Sequence, residues 1–310
     1  MTNAPAAPQT IAIIGAGMAG AALAARLRAN GRAPTVFDKS RGLGGRMATR
    51  RAGAFAFDHG APAFDPAHTG PGFAEASARW VADGKAAPWE GEGLVGLPAM
   101  SAPARALFEG TTIVTAAEIR EAKRADTGWT LHTDAAQHGP FTTLLVAIPA
   151  PQARRILPDA PPGLASATYD PGWTLMLGFD APTGREAART DLPGPALSVC
   201  LNSGSKPGRP GECFVLHARA EWSRAHLELD RDDACNRLMA EAAPLFPTGL
   251  SPAYATAHRW RFARVAEPLG QPCLWDPDRQ LGFAGDWCLG PNVSHAFDSG
   301  TALANAVLAG

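Results

Sequence analysis

The chain has 310 residues, 46% hydrophobic and 18% charged, enough to close a large core and to exclude wholesale disorder. Its 28 basic and 29 acidic residues leave a net charge of −1, with no basic field for nucleic acid and no acidic tail. Cys200, Cys213, Cys235, Cys273 and Cys288 form no CxxC pair, which argues against a metal site or a dithiol and suits a reducing compartment.

The opening run "MTNAPAAPQT" lacks a basic region and a long apolar stretch, so no signal peptide is expected. No later stretch approaches the ~18 consecutive apolar residues of a membrane helix. These features point to a cytoplasmic enzyme or binding protein with no membrane partner; monomer and dimer both stay open. "IAII" (11–14) reads as a short buried strand, "GAGMAG" as a turn, and "AALAARLRANG" as a helix stopped at Asn30-Gly31. "PTVFDK" is a second strand ending at Asp38, so residues 11–38 form a βαβ unit and open a parallel sheet. Residues 60–98 are rich in Pro and Gly, with one helical patch over 72–83. Strands follow over 111–133, with a turn at Asp126-Thr127-Gly128, and over 141–151, where proline closes an apolar run. Punctuated strands fill 158–212, an alternating strand covers 212–222, a helix 230–243 and a strand 253–265. A short apolar strand over 280–288 and a helix over 293–310 complete the chain.

Gly15, Gly17 and Gly20 form G-x-G-x-x-G between strand and helix. The first glycine allows the tight turn, the second admits a pyrophosphate against the backbone, and the third lets helix and strand pack closely. The helix N-terminus offers N–H groups and partial positive charge to the phosphates. Asp38 stands where a carboxylate can accept from the hydroxyls of an adenosine ribose. Gly44 and Gly45 permit a second close approach of backbone to the phosphates, and Arg46 can neutralise charge that one helix dipole leaves over. Far along the chain, "GDW" (285–287) places Asp286 where it can accept from a ribityl hydroxyl, which nicotinamide dinucleotides lack. The helix start near Asn292-Val293 would face the flavin C2 carbonyl and favour the anionic reduced ring.

These three elements together resemble the flavin-dependent amine oxidase superfamily and, more narrowly, the bacterial renalases. The matching runs are "IAIIGAGMAG", "FDKSRGLGGRM", "FDHGA", "LLVAIPAPQA", "VLHARAEWSR", "AHRWRFAR" and "GDWCLGPNVSHAFDSG", in family order and over nearly the whole chain. The resemblance implies an α/β protein: a Rossmann-type FAD-binding domain drawn from residues 1–60, 99–155 and 272–310, with an inserted substrate domain of β-sheet and helices from 61–98 and 156–271. It implies non-covalent FAD. The family's contacts fall on Gly15, Gly17, Ala19, Gly20, Asp38, Lys39, Gly45, Arg46, Met47, Gly60, Ala61, Ile119, Gly285, Asp286 and Val293, with the backbone at Ile119 holding adenine. It also implies an oxidase taking hydride from a misreduced dihydronicotinamide dinucleotide and passing electrons to O2, with hydrogen peroxide as product. An amine oxidase or desaturase on the same scaffold, or a flavin redox sensor without turnover, are the alternatives.

The pattern departs at "GAPAF", where Pro62 and Ala63 replace a glutamine and a tyrosine usual in bacterial renalases, and the stretch between Trp89 and Met100 is short. Both changes fall in the expected substrate cavity. Hydride transfer needs no general base, so no catalytic triad is expected; the cavity candidates are His59, His258 and Arg261. His59 either sits near the flavin ring or turns outward. Alternation sends His258 and Trp260 to one strand face and Arg259 and Arg261 to the other, where Arg261 is either a surface charge or a phosphate contact. Trp222 and Trp260 read as packing residues, Cys288 as a small buried thiol.

Overall fold

A computed structural model describes residues 10–67 and 70–310. Residues 1–9, which hold most of the opening run read above as no signal peptide, and residues 68 and 69 lie outside the described residues.

The apolar strand Ile11–Ile14 is buried along its whole length because it runs in the middle of a sheet. It pairs in parallel with Pro34–Phe37 on one side and Thr143–Val146 on the other. Thr112–Val114 extends the sheet past Pro34–Phe37, and Leu281–Phe283 extends it past Thr143–Val146, both in parallel. Leu274–Asp276 closes one edge, antiparallel to Leu281–Phe283. The parallel sheet therefore draws its strands from both ends of the chain. The helix Met18–Ala29 follows the first strand, and the final helix Val293–Ala309 packs against it. The two helices approach closely at Gly300, where a Cβ would run into the carbonyl oxygen of Ala19.

A meander of Glu121–Ala125, Gly128–His132 and Gln137–Phe141 lies between two strands of the parallel sheet in sequence. The stretch 168–267 supplies a separate antiparallel sheet, ordered Arg189–Asp191, Leu197–Asn202, Glu212–Ala218, Thr168–Phe179, Tyr254–Glu267. Its two faces are unlike. Trp173, Leu175, Leu177, Phe214 and Leu216 pack with Leu238 of the helix Arg231–Ala242. Met176, Val199, Leu201 and Val215 face the other way, into a core shared with Phe57 and Phe64. The ribbon Thr49–Ala52/Phe55–Asp58 covers that second face: Gly178 lets the Phe55 ring rest directly on the sheet.

Several elements differ in extent from expectation. The strand expected over 212–222 ends at Ala218, and Ala220–Ala225 is a helix. The Arg219 guanidinium donates to the carbonyls of Leu192 and Gly194, which turns the chain, and the following Ala, Glu and Arg favour helix. The strand expected over 141–151 is confined to Thr143–Val146, because Pro149 and Pro151 open the helix Ala150–Ile156. The strand of 280–288 covers Leu281–Phe283 and gives way to the short helix Asp286–Leu289. Residues 60–98 hold the expected helix, Pro71–Ala82, and also a hairpin, Ala86–Trp89 with Gly93–Gly96.

Candidate functional site

The glycine turn after the first strand is tight for identifiable reasons. Gly15 has φ of +112°, its N–H donates to Phe37 O at 2.8 Å, and a Cβ there would strike the Ala147 carbonyl. A Cβ on Gly20 would strike the carbonyl of Gly15, so the helix starts hard against the turn. Gly17 is the opposite case: a Cβ built there meets nothing within 4 Å. Open space thus lies in front of a helix whose first turn carries no side-chain cap, leaving its N–H groups free for an anion.

The second glycine pair closes on the first. Gly44 N–H donates to Ala16 O at 2.8 Å, and a Cβ on Gly45 would lie 3.3 Å from the Gly17 Cα. Both glycines have positive φ, +110° and +54°. Asp38 clasps the same turn, its two carboxylate oxygens accepting from the N–H groups of Ala16 and Ser40, each at 2.7 Å. Further lone pairs on those oxygens remain for hydroxyl donors. Lys39 beside it is exposed. Ala117 N–H donates to Asp38 O, so the loop carrying buried Ile119 returns to this end of the site. Ala19 is buried at the helix crossing and Met47 beneath the second turn.

The turn Gly45–Met47 also meets the loop after the ribbon. Ala61 N–H donates to Arg46 O at 2.8 Å, and Gly60 lies so close that a Cβ would overlap that carbonyl. The Arg46 side chain does not turn toward the glycine loops. It pairs with Asp286 at 2.6 Å and donates to the carbonyls of Phe262 and Ala263, each at 3.3 Å. Burial works against the guanidinium's charge, and the charge and hydrogen bond of Asp286 outweigh it, so its pKa is raised. The residues expected to serve diphosphate and ribityl chain separately are thus joined, because a largely buried cation needs a carboxylate. Asp286 Oδ2 makes no hydrogen bond among the described residues, and that oxygen remains an acceptor. Gly285 N–H donates to Ser299 Oγ, which ties this segment to the final helix. Val293 begins that helix, whose first turn is capped by Asn292 and His295.

On the face of the antiparallel sheet nearest the ribbon, His217, Thr174 and His258 stand side by side on three strands. His59, buried, closes on them from the loop. Its ring lies 4.8 Å from that of His258 and 5.2 Å from that of Trp260, and Trp260 Nε1–H donates to the His59 carbonyl. His59 therefore turns inward. Burial pushes the pKa of His59, His258 and His217 down to about 4, with Arg50, His59 and Lys206 respectively adding repulsion. The three rings are neutral at neutral pH. His59 Nδ1 and His217 Nε2 are buried without a hydrogen-bond partner among the described residues. Arg261 does not join them: it pairs with Glu228 at 2.7 Å on the opposite strand face. Cys288 is buried, and burial pushes its thiol up to about 12. Among the described residues no group of three or more His, Cys, Asp and Glu side chains could hold a metal ion.

A buried charge cluster under the same loop escaped sequence reasoning. Asp58, Lys206 and Arg209 are 1%, 2% and 7% exposed, values rare for charged residues. Asp58 accepts from Lys206 Nζ and Arg209 Nη2, each at 3.1 Å, and from Thr49 Oγ1. Lys206 also donates to the Pro62 carbonyl, and Arg209 to those of Gly96 and Pro98. The cluster thereby holds both the "GAPAF" loop and the hairpin behind it. The available signal was "KPGR" (206–209), a basic pair in a turn, which ordinarily reads as solvated.

Residues 70–308 match the family "Flavin containing amine oxidoreductase", and residues 13–76 match an NAD(P)-binding Rossmann-like domain. Over 50 residues the chain is 48% identical to a 4,4'-diapophytoene desaturase of Staphylococcus haemolyticus (strain JCSC1435). That match spans 16% of the chain and a tenth, 10%, of the desaturase. A proposed protoporphyrinogen oxidase from Exiguobacterium sp. 255-15 has the same fold, at 16% identity and TM-score 0.72, over 98% of this chain and 100% of the other. Cyclohexylamine oxidase from Brevibacterium oxydans IH-35A superposes over 97% and 99% of the two chains, at 14% identity and TM-score 0.70.

Proposed function

The chain belongs to the flavin-containing amine oxidoreductase family and is an FAD-dependent oxidoreductase, and on that premise we propose that it is an oxidase of renalase type. The reaction takes a misreduced dihydronicotinamide dinucleotide, a proton and O2 to the oxidised nicotinamide dinucleotide and hydrogen peroxide. Bound FAD supplies the two-electron sink for this chemistry. The residues fit it: the open space at Gly17, the uncapped helix start and the turn Gly44-Gly45 form a cradle for a diphosphate. In this reading Gly15, Gly17, Ala19 and Gly20 border the diphosphate. Asp38, with Lys39 and the backbone of Ile119, holds the adenosine end. Asp286 Oδ2 accepts a ribityl hydroxyl, while Gly285 and Val293 flank it. Gly60 and Ala61 border the ring, held against Gly45, Arg46 and Met47. Binding is non-covalent, and the FAD-binding domain comprises 1–60, 99–155 and 272–310.

The observation that carries the renalase reading is the neutral wall of His59, His258 and Trp260 beside that loop. These rings, with centroids 4.4–5.2 Å from one another, offer a packing surface for a planar donor, and hydride transfer asks no general base of them. Purified protein should be yellow, and anaerobic mixing with aged NAD(P)H, which contains the isomers, should bleach it in a stopped-flow trace. Bleaching by simple amines, with none from the isomers, would move the activity to amine oxidation; a yellow protein inert to both would point to a sensor.

A further inference from the structure

The ribbon that leads to His59 also carries a cation, Arg50, whose side chain has no partner among the described residues. Arg50 stands opposite Phe57 in the pairing of Thr49–Ala52 with Phe55–Asp58. The pleat puts Arg50 and Phe57 on one face and Thr49 and Asp58 on the other. Phe57 stacks on Tyr254 at 5.4 Å and 20°. Tyr254, Thr256, His258 and Trp260 share one face of their strand by alternation, and His59 folds back onto the last part of that row. Arg50 thus lies on the rim of the imidazole cluster, and its charge acts on both His59 and His258. It is half-buried, and among the described residues its side chain makes no hydrogen bond or ion pair.

The remaining charge balance around the cluster is positive. Asp58, the buried carboxylate beneath it, is taken by Lys206 and Arg209, so that trio carries one net positive charge. The ionisable groups acting on His258 are His59 and Arg50, and of these Arg50 alone is charged at neutral pH. His59 Nδ1, on a residue only 6% exposed, and His217 Nε2 are left without partners among the described residues inside the same cluster.

We propose that Arg50, backed by His59 and His258, forms an anion subsite in the substrate cavity, so that accepted substrates carry a carboxylate or phosphate and ammonium compounds are turned away. This rests on the reading of that cavity as the substrate site given under Proposed function. A free guanidinium presents a fork of N–H donors that matches either anion in a bidentate arrangement. An ammonium substrate would meet Arg50 and a net positive cluster with no free carboxylate to offset them.

Isothermal titration of the oxidised holoenzyme with nicotinamide, nicotinate, nicotinamide mononucleotide and benzylamine tests this. At least one of nicotinate and the mononucleotide should bind about tenfold or more tighter than neutral nicotinamide. Which of the two gains separates carboxylate from phosphate. Arg50→Gln should remove the advantage and leave nicotinamide affinity unchanged, and Arg50→Lys should keep part of it. Should Arg50→Gln lose flavin, Arg50→Lys carries the comparison, its point charge giving a smaller advantage than the fork. Anions that bind no better than nicotinamide, an advantage that survives unchanged in the variants, or benzylamine binding tighter than both anions would overturn the proposal. The isotherms need no turnover, so a failure to bleach with NAD(P)H isomers leaves them readable.

Discussion

Asp286 shows how one residue can be legible in kind and illegible in partnership. Its place after a short strand, in "GDW", marks it as a candidate acceptor. Its pairing with Arg46, 240 positions away, has no local signal. Replacing Asp286 by Ala leaves the Arg46 side chain, 28% exposed, without its carboxylate. The loss, tempered by that exposure, should reach about 2–3 kcal/mol. The ratio of flavin to protein absorbance should fall in the purified variant, together with the urea midpoint; unchanged values for both would contradict the placement of this carboxylate. Lys206 and Arg209 are illegible for a related reason. A basic pair in a Pro-Gly turn is ordinarily solvated, and only the arrival of Asp58 permits burial.

Among the elements, the glycines separate packing from ligand space. Gly300→Ala places a methyl against the Ala19 carbonyl where the first and last helices cross. Overpacking of this kind costs about 1–3 kcal/mol, or roughly 1.5–5 °C of melting temperature for a chain of this size. Gly17→Ala should behave differently. Its φ of −82° suits alanine, and the methyl meets nothing within 4 Å. Flavin-free protein should melt as the wild type does, while FAD affinity, followed by fluorescence titration, should drop about tenfold or more if the methyl intrudes on the phosphates. A Gly17→Ala protein with wild-type FAD affinity would show that the open space there is not the cradle. Alternation and apolar runs located the elements well but misplaced their ends. The chain turns at Arg219 and Pro149 because of distant carbonyls in one case and helix-start chemistry in the other.

For the molecule as a whole, the three low-pKa histidines set a dependence of stability on acid. His59, His258 and His217 are neutral when folded down to about pH 4, whereas an unfolded histidine takes up its proton near pH 6.5. Below about pH 6.5 the unfolded chain therefore binds more protons, and stability falls as pH drops toward 4. Above about pH 7 this contribution is complete and flat. His258→Gln should reduce the slope between those limits by at most about 1.4 kcal/mol per pH unit. Urea midpoints of both proteins at pH 7, 6 and 5 measure it; parallel curves would count against a buried neutral ring at that position.

By itself the amino-acid order determined the glycine-rich turn, the first βαβ unit, the acid at the end of its second strand and the family to which they belong. Each depends on signals spanning few residues: a φ only glycine adopts readily, a helical or strand period, a proline at a helix start. The tertiary structure alone decided the Arg46–Asp286 pair, the inward turn of His59, the surface pairing of Arg261 and the placing of Arg50 beside His59. Those depend on which remote segments come together, and on how much water is left around a charge once they have. No local pattern records either, because burial is a property of the assembled layers and not of the stretch that supplies the residue.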